Sequence, residues 1–414
     1  MQKTIKRLDA FTKNIIVVFA GASLANFLNL LYQLLIAHKL SAAEFAAFNS
    51  LLSIFVIISA PLGTIQLAVI KYSAEFNAHN QTAKIRFLLS DLFKKTSILA
   101  ISSLLIFWFI CVNIMNILKI PSIFSGYILA LLLASAFLSP VFSGGVQGLE
   151  LFGWYASSSV ISGLLKLTLA FLFILLGYNI TGALSALLIS SLFGLVFLYL
   201  PLRRFIHLEA IKADIDYKEI LFYLFPIALS YLCFMSLVNF DMVLVKYFFS
   251  QPDAGLYSLA QMTGKIFLFL PAAISIVMFP KTSGLNAKNM DTLLTLKRSL
   301  LYVLSLCVSA CLFYNLFPGF VLMALTGKAY PESIFLGRLF SISMSFFTLL
   351  YIFISYFLSI NDLRFLKYLV TFCLLQVLAV IFFHPSLASV QFILCLSSIS
   401  LFIIHLFLAR KRQQ

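Results

Sequence analysis

The chain has 414 residues, 62% of them hydrophobic and 45 of them phenylalanine, and 29 basic residues outnumber 14 acidic ones for a formal net charge of +15. With a mean hydropathy of +1.05 it has too little polar surface to coat a water-soluble globule of this size, which leaves an integral membrane protein of the all-α class. The basic excess is not a nucleic-acid signature, because it lies in the short polar breaks between apolar runs, where lysine and arginine set topology and meet anionic headgroups.

A spanning helix needs about 20 mostly apolar residues, and cutting the chain at its polar and Pro/Gly breaks predicts twelve such spans: 15–37, 45–70, 96–118, 124–147, 154–177, 181–202, 220–249, 254–280, 299–317, 332–360, 365–384 and 387–409. The first follows a basic stretch, as a signal peptide would, but its apolar run from Asn14 to Ala37 is too long for one and reads as a retained helix. It carries Ser23, Asn26 and Gln33 at spacings of three and seven, with Asn29 adjoining, so amides line one stripe. Such a stripe either bonds neighbouring helices or lines a hydrophilic pocket. The second span contains Pro61, which removes a backbone donor and marks a bending point. The fifth holds Lys166 twelve residues in, near mid-depth, where a charge costs about 2.5 to 3.5 kcal/mol unless it faces a protein interior or a wet cavity. The third helix pair offers no polar set comparable to the first, so a cavity is expected elsewhere.

Residues 203–219 form the longest charged interruption and divide the chain into bundles at 1–202 and 220–414, with a short amphipathic helix expected in the linker on the inner surface. The seventh span carries Ser230, Ser236, Asn239 and Asp241, a second polar stripe that opens the second half as the first opens the first. Asp241 is the sole carboxylate in the interior of any span, Glu332 standing only at the first position of the tenth, and three roles are open to it: a structural ion pair, with Lys265 as a partner, a substrate contact, or a carboxylate coupling a gradient to movement. Lys246, three residues from the end of that span, either lines a cavity or extends its stem to the headgroups. The eighth span places Lys265 at mid-depth and Pro271 at a second bending point.

Sorting the basic residues puts 22 on one side and four, Lys39, Lys119, Lys328 and Arg338, on the other, which predicts that both termini are cytoplasmic. An offset of about 209 residues brings Glu44-Phe45-Ala46-Ala47-Phe48 onto Asp253-Ala254-Gly255-Leu256-Tyr257 and, with one residue of slippage, Pro61 onto Pro271 and Lys71 onto Lys281. That echo predicts two repeats of six helices related by an axis along the membrane normal. The six cysteines all fall in apolar spans without a neighbouring ligand set, and no phosphate loop or nucleophile-base motif is present, so neither metal, cofactor nor enzymatic chemistry is expected.

The segment Asp241-Met242-Val243-Leu244-Val245-Lys246-Tyr247-Phe248, followed by Asp253-Ala254-Gly255-Leu256-Tyr257 and Phe279-Pro280-Lys281-Thr282-Ser283, resembles the start of the second half of polysaccharide-export flippases of the multidrug/oligosaccharidyl-lipid/polysaccharide (MOP) superfamily. Leu40-Ser41-Ala42-Ala43-Glu44-Phe45, Lys71-Tyr72-Ser73-Ala74-Glu75 and Gly144-Gly145-Val146-Gln147-Gly148 are similar to that family's first half. The resemblance implies two six-helix bundles in the arrangement of multidrug (MATE) exporters, flanking a central cavity with alternating access. It also implies translocation of a polyprenyl-diphosphate-linked oligosaccharide across a bacterial cytoplasmic membrane, for O-antigen, capsule or exopolysaccharide. Membrane lipids and polysaccharide polymerase machinery are the further partners.

On this reading Lys166 and Lys265 are the leading anion contacts, with Lys246, Asn26, Asn29, Gln33 and Asn239 as further cavity residues. The rivals are a drug or organic-cation antiporter of the same superfamily, which should place carboxylates at mid-depth, and a non-transporting scaffold, which would not need buried polar stripes.

Overall fold

The computed structural model of the protein describes residues 2–206, 217–269 and 271–410. Among these residues every regular element is helical. The first half comprises α1 (Gln2–Lys39), α2 (Ala42–Ser59), α3 (Leu62–Ala78), α4 (Thr82–Ile117), α5 (Ile123–Gly148), α6 (Phe152–Leu175) and α7 (Asn179–Leu202). The second comprises α8 (Tyr217–Phe248), α9 (Gln251–Lys265), α10 (Ala272–Ala287), α11 (Leu293–Leu316), α12 (Pro318–Thr326), α13 (Pro331–Ser359), α14 (Leu366–Phe382) and α15 (Leu387–Arg410), with 3-10 turns at Ile266–Phe269 and Leu363–Phe365.

Eleven of the described helices are long and apolar enough to cross a membrane. The expected span 254–280 is not continuous: α9 gives way to the 3-10 turn, and α10 starts only after Pro271. The expected span 45–70 is likewise divided between α2 and α3, with Pro61 at the start of the latter. In both places proline lacks the N–H that the preceding turn would use, so the helix restarts. Helix α4 is longer than the apolar run alone predicts, because Ile85, Leu88 and Leu89 give its polar first turns a buried face.

The chain divides into two compact units, Met1–Lys39 with Ile58–Ala228, and Leu40–Ile57 with Leu229–Gln414. Residues 40–57, most of α2, therefore group with the second unit and not with their sequence neighbours. The linker expected at 203–219, with its amphipathic helix, lies largely outside the described residues.

In the first unit α3 and α5 cross closely. A Cβ on Gly144 would lie 2.8 Å from the Val69 Cβ, and one on Gly148 would lie 2.6 Å from the Ser73 Cβ and 2.9 Å from the Ile70 carbonyl oxygen. Only glycine at both positions, one helical turn apart, lets the backbones approach this far. In the second unit α13 is the central helix, packed on α9, α11 and α15, with Phe340, Phe347 and Phe353 fully buried.

Helices α2 and α9 begin with equivalent caps. The Ser41 hydroxyl and backbone N–H both donate to Glu44 while the Glu44 N–H returns a bond to the Ser41 hydroxyl. Ser250 and Asp253 repeat the hydroxyl–carboxylate bond and the returned N–H bond. These are capping boxes or close variants of one, satisfying orphan donors of a first turn. The two helices then touch: the Asn49 amide donates to the Ser258 hydroxyl at 2.8 Å across 209 positions, the offset of the sequence echo. Ala42 approaches so near Gly255 that a Cβ there would sit 2.9 Å from backbone.

Candidate functional site

Inside the first unit, α1, α3, α5, α6 and α7 enclose a cavity of about 430 Å³. Helix α6 supplies Tyr155, Ser159, Ser162 and Lys166, at steps of four, three and four residues that hold one face of a helix. Ser158 joins them, Ser190 and Ser191 come from α7, Ser139 and Ser143 from α5, Gln66 from α3, and Asn26 and Asn29 from α1. Lys166 is the one cation in this lining, and no carboxylate is among it.

Local helix geometry decides what these groups offer. Ser143, Ser159 and Ser190 each donate their hydroxyl proton to a carbonyl one turn back, on Ser139, Tyr155 and Leu187, at 2.7 to 3.0 Å. Their oxygen lone pairs therefore remain to accept hydrogen bonds. Ser158 is 4% exposed, and the buried Ser162 hydroxyl has no partner among the described residues. Gly194 makes room for it, since a Cβ there would stand 2.9 Å from the Ser162 oxygen.

Lys166 is oriented within this lining. Its ammonium donates to the Asn29 side-chain oxygen and lies 4.7 Å above the centre of the Tyr32 ring, a favourable cation–π placement. The ring is itself fixed, because the Tyr32 hydroxyl donates to the Ala183 carbonyl at 2.9 Å. An ammonium has three donors, so after Asn29 two remain.

The second unit holds a different polar cluster. Asp241, 2% exposed on α8, accepts a bond from the Tyr257 hydroxyl at 2.8 Å and bonds from the Gln261 amide at 3.1 and 3.2 Å. Gln391 of α15 donates to the Tyr257 oxygen at 2.7 Å. The side-chain oxygens of Gln261 and Gln391 are buried without a partner. Tyr257, Gln261 and Lys265 fall at successive steps of four on α9, so Lys265 stands one turn beyond Gln261, with no direct ion pair to the carboxylate among the described residues. Among the described residues the side-chain bonding partners of Asp241 are the neutral groups Tyr257 and Gln261, and the ion pair with Lys265, one of the three roles left open, is not among these contacts.

The expected site residues thus separate. Lys166, Asn26 and Asn29 come together in the first unit's cavity, and Gln33 does not line it. Asp241, Asn239, Lys246 and Lys265 belong to the second unit. Asn239 spends an amide proton on the Met235 carbonyl of its own helix at 2.9 Å. Lys246 is 2% exposed, so its stem is packed against other side chains. The largest omission concerns the serines of α6 and α7, the third helix pair of the first half, from which no polar lining was expected. Their signal was the recurrence of serine on one face of each helix, which hydropathy alone passes over because serine is nearly neutral.

A family profile described as polysaccharide biosynthesis protein matches residues 11–286. The chain belongs to that family. The match accords with the polysaccharide family that the sequence resembles. A search of curated proteins finds no match. Among solved structures, an inward-facing MATE-family multidrug resistance transporter of the MOP superfamily superposes with a TM-score of 0.73 at 17% identity, over 96% of this chain and 97% of that one. The lipid II flippase MurJ in an inward closed conformation gives 0.72 at 15%, over 95% and 87%. A MOP superfamily transporter from Pyrococcus furiosus gives 0.58 at 16%, over 96% and 94%. At these identities the likeness establishes the fold, that of a multi-pass membrane protein.

Proposed function

We propose that this family member is a flippase that carries a polyprenyl-diphosphate-linked oligosaccharide from the inner to the outer leaflet of a bacterial cytoplasmic membrane by alternating access, in O-antigen, capsule or exopolysaccharide assembly. The observation that carries the reading is the hydroxyl- and amide-lined cavity of the first unit with Lys166 as its cation and no carboxylate in its lining. Such a lining suits sugar hydroxyls and an anion. A cation exporter would need a carboxylate in that place, and a scaffold would have no use for the cavity.

Counting the broken segment 254–280 with the eleven apolar helices supports twelve spans and, with the sorting of basic residues, cytoplasmic termini. Pro61 and Pro271, where helices restart, are the bending points. Lys265 and Asn239 in the second unit and Gln33 in the first are further candidate substrate contacts, Lys246 being packed away from any path, and membrane lipids and polymerase machinery are the partners. Asp241 is the coupling residue: a buried carboxylate whose neighbours Gln261 and Gln391 each hold an unpartnered acceptor oxygen has ligands for a proton or small cation.

Lys166→Ala and Lys265→Ala should each reduce surface polysaccharide in cells that keep normal levels of the protein, and normal polymer with both changes would sink the anion-contact reading. In proteoliposomes Asp241→Asn should flip at a rate indifferent to imposed pH and sodium gradients. Wild-type response to those gradients removes Asp241 as the coupling residue.

A further inference from the structure

We infer that the serine-lined cavity of the first unit is a subsite for one acidic sugar of the transported head group, a pyranose ring bearing a single carboxylate. This rests on the flippase reading for its biological setting but on separate observations for its chemistry. The cavity volume of about 430 Å³ lies near the lower end of small-molecule pockets, roughly 300 to 1,000 Å³. That suits one or two sugar rings and excludes a polyprenyl chain.

The functional groups match a ring of hydroxyls. Ser143, Ser159 and Ser190 have spent their protons on backbone carbonyls and so present acceptors to sugar O–H groups. The buried Ser162 hydroxyl has no partner among the described residues. A buried hydroxyl is rarely left so, because an unmade bond leaves its desolvation cost unoffset. A ligand that both donates and accepts, as a sugar hydroxyl does, satisfies it.

Charge selects the anion. Lys166 is held toward the cavity by Asn29 and Tyr32 with two donors still to give, which matches the two oxygens of a carboxylate. A diphosphate diester carries two negative charges, and one of them would remain uncompensated against a lining with a single cation. The diphosphate is thereby assigned elsewhere in the path.

The test uses the full chain in lipid nanodiscs and saturation-transfer NMR with three soluble probes: methyl β-glucuronide, methyl β-glucoside and glucose 1-phosphate. Glucuronide should bind about tenfold more tightly than glucoside, the effect of one charge-assisted contact. Lys166→Met should abolish that preference while leaving the glucoside signal in place, which also shows that the variant is folded. Lys166→Arg should restore it, and Ser162→Val should weaken both sugars. Glucose 1-phosphate binding more tightly than glucuronide through Lys166 would transfer the site to the diphosphate and overturn the acidic-sugar assignment. Absence of any Lys166-dependent binding overturns it as well. The flippase reading is tested apart from this, by surface polymer in cells: lost polymer with Lys166→Met but no glucuronide binding removes the subsite and leaves the flippase.

Discussion

Tyr257→Phe isolates one hydroxyl at the centre of the second unit's polar cluster. The ring stays, edge-on to Phe340 with centroids 5.1 Å apart, so packing is conserved and only hydrogen bonds change. Two are lost: the donation to Asp241 at 2.8 Å and the acceptance from Gln391 at 2.7 Å. A bond to an ionised group contributes about 1.5 to 3 kcal/mol, and a buried group left unsatisfied costs about 1 to 3 kcal/mol. Gln391 is 0% exposed and its oxygen already lacks a partner, so the substitution leaves its whole amide unsatisfied. Interhelical bonds in membrane proteins average nearer 0.6 kcal/mol because the unfolded state finds other partners, which puts the expected loss toward the low end of the summed range of about 2.5 to 6 kcal/mol, at about 3 kcal/mol. Unfolding in mixed detergent–dodecyl sulfate micelles measures it. On a Gln391→Leu background, where no amide is stranded, Tyr257→Phe should cost about half as much. A wild-type midpoint for Tyr257→Phe, or strict additivity with Gln391→Leu, refutes the account of a connected network.

The close crossing of α3 and α5 predicts that Gly148→Val destabilises by several kcal/mol, since its Cβ would sit 2.6 Å from that of Ser73 and neither backbone can yield without the other; thermal unfolding in detergent is the readout, and a midpoint within a degree or two of wild type would disprove the crossing. Ser250→Ala removes the cap of α9, which bonds the Asp253 N–H and carboxylate, and should cost about 0.5 to 2 kcal/mol, with Ser41→Ala matching it if the two caps are equivalent. Asn49→Val should cost about 0.6 to 1.7 kcal/mol through the lost bond to Ser258, and the double change Asn49→Val with Ser258→Ala should cost no more than the single one. Gly194→Ala, which presses on the Ser162 hydroxyl, should lower surface polysaccharide with little change in thermal stability, and unchanged polymer would separate this part of the cavity from transport.

Much of this architecture is written locally. Apolar runs of spanning length define most helices, and the two interruptions fall at prolines because a missing N–H is a property of one residue. The internal echo is also local: acidic residues at 44 and 253 are each the partner of a serine three positions earlier, at 41 and 250, so the repeat shows in the caps before it shows in the fold. What escaped was tertiary. Nothing in residues 40–57 says that they pack with the second unit, since α2 is buried by side chains more than 200 positions away, such as Ser258. Gln391 could not be joined to Asp241 for the same reason. Their link runs through Tyr257, and only the packing of α15 on α13 and α13 on α9 brings the three together.

The two polar clusters differ in what they leave unsatisfied, and that difference assigns them different tasks. Around Asp241 the unpartnered atoms are the acceptor oxygens Gln261 Oε1 and Gln391 Oε1 beside a carboxylate, a set that calls for a cation or a proton. Around Lys166 the unpartnered group is the Ser162 hydroxyl beside an ammonium with donors to spare, a set that calls for a hydroxylated anion. A mid-depth charge read from sequence gives only the sign of what it could meet. The neighbours decide whether that charge is already answered, and here each cluster is answered only in part, with opposite remainders. On the proposed reading, in which an anionic sugar is moved at the expense of a gradient, both remainders have a use in separate units, because a cation site placed within the sugar cavity would neutralise the charge that Lys166 supplies.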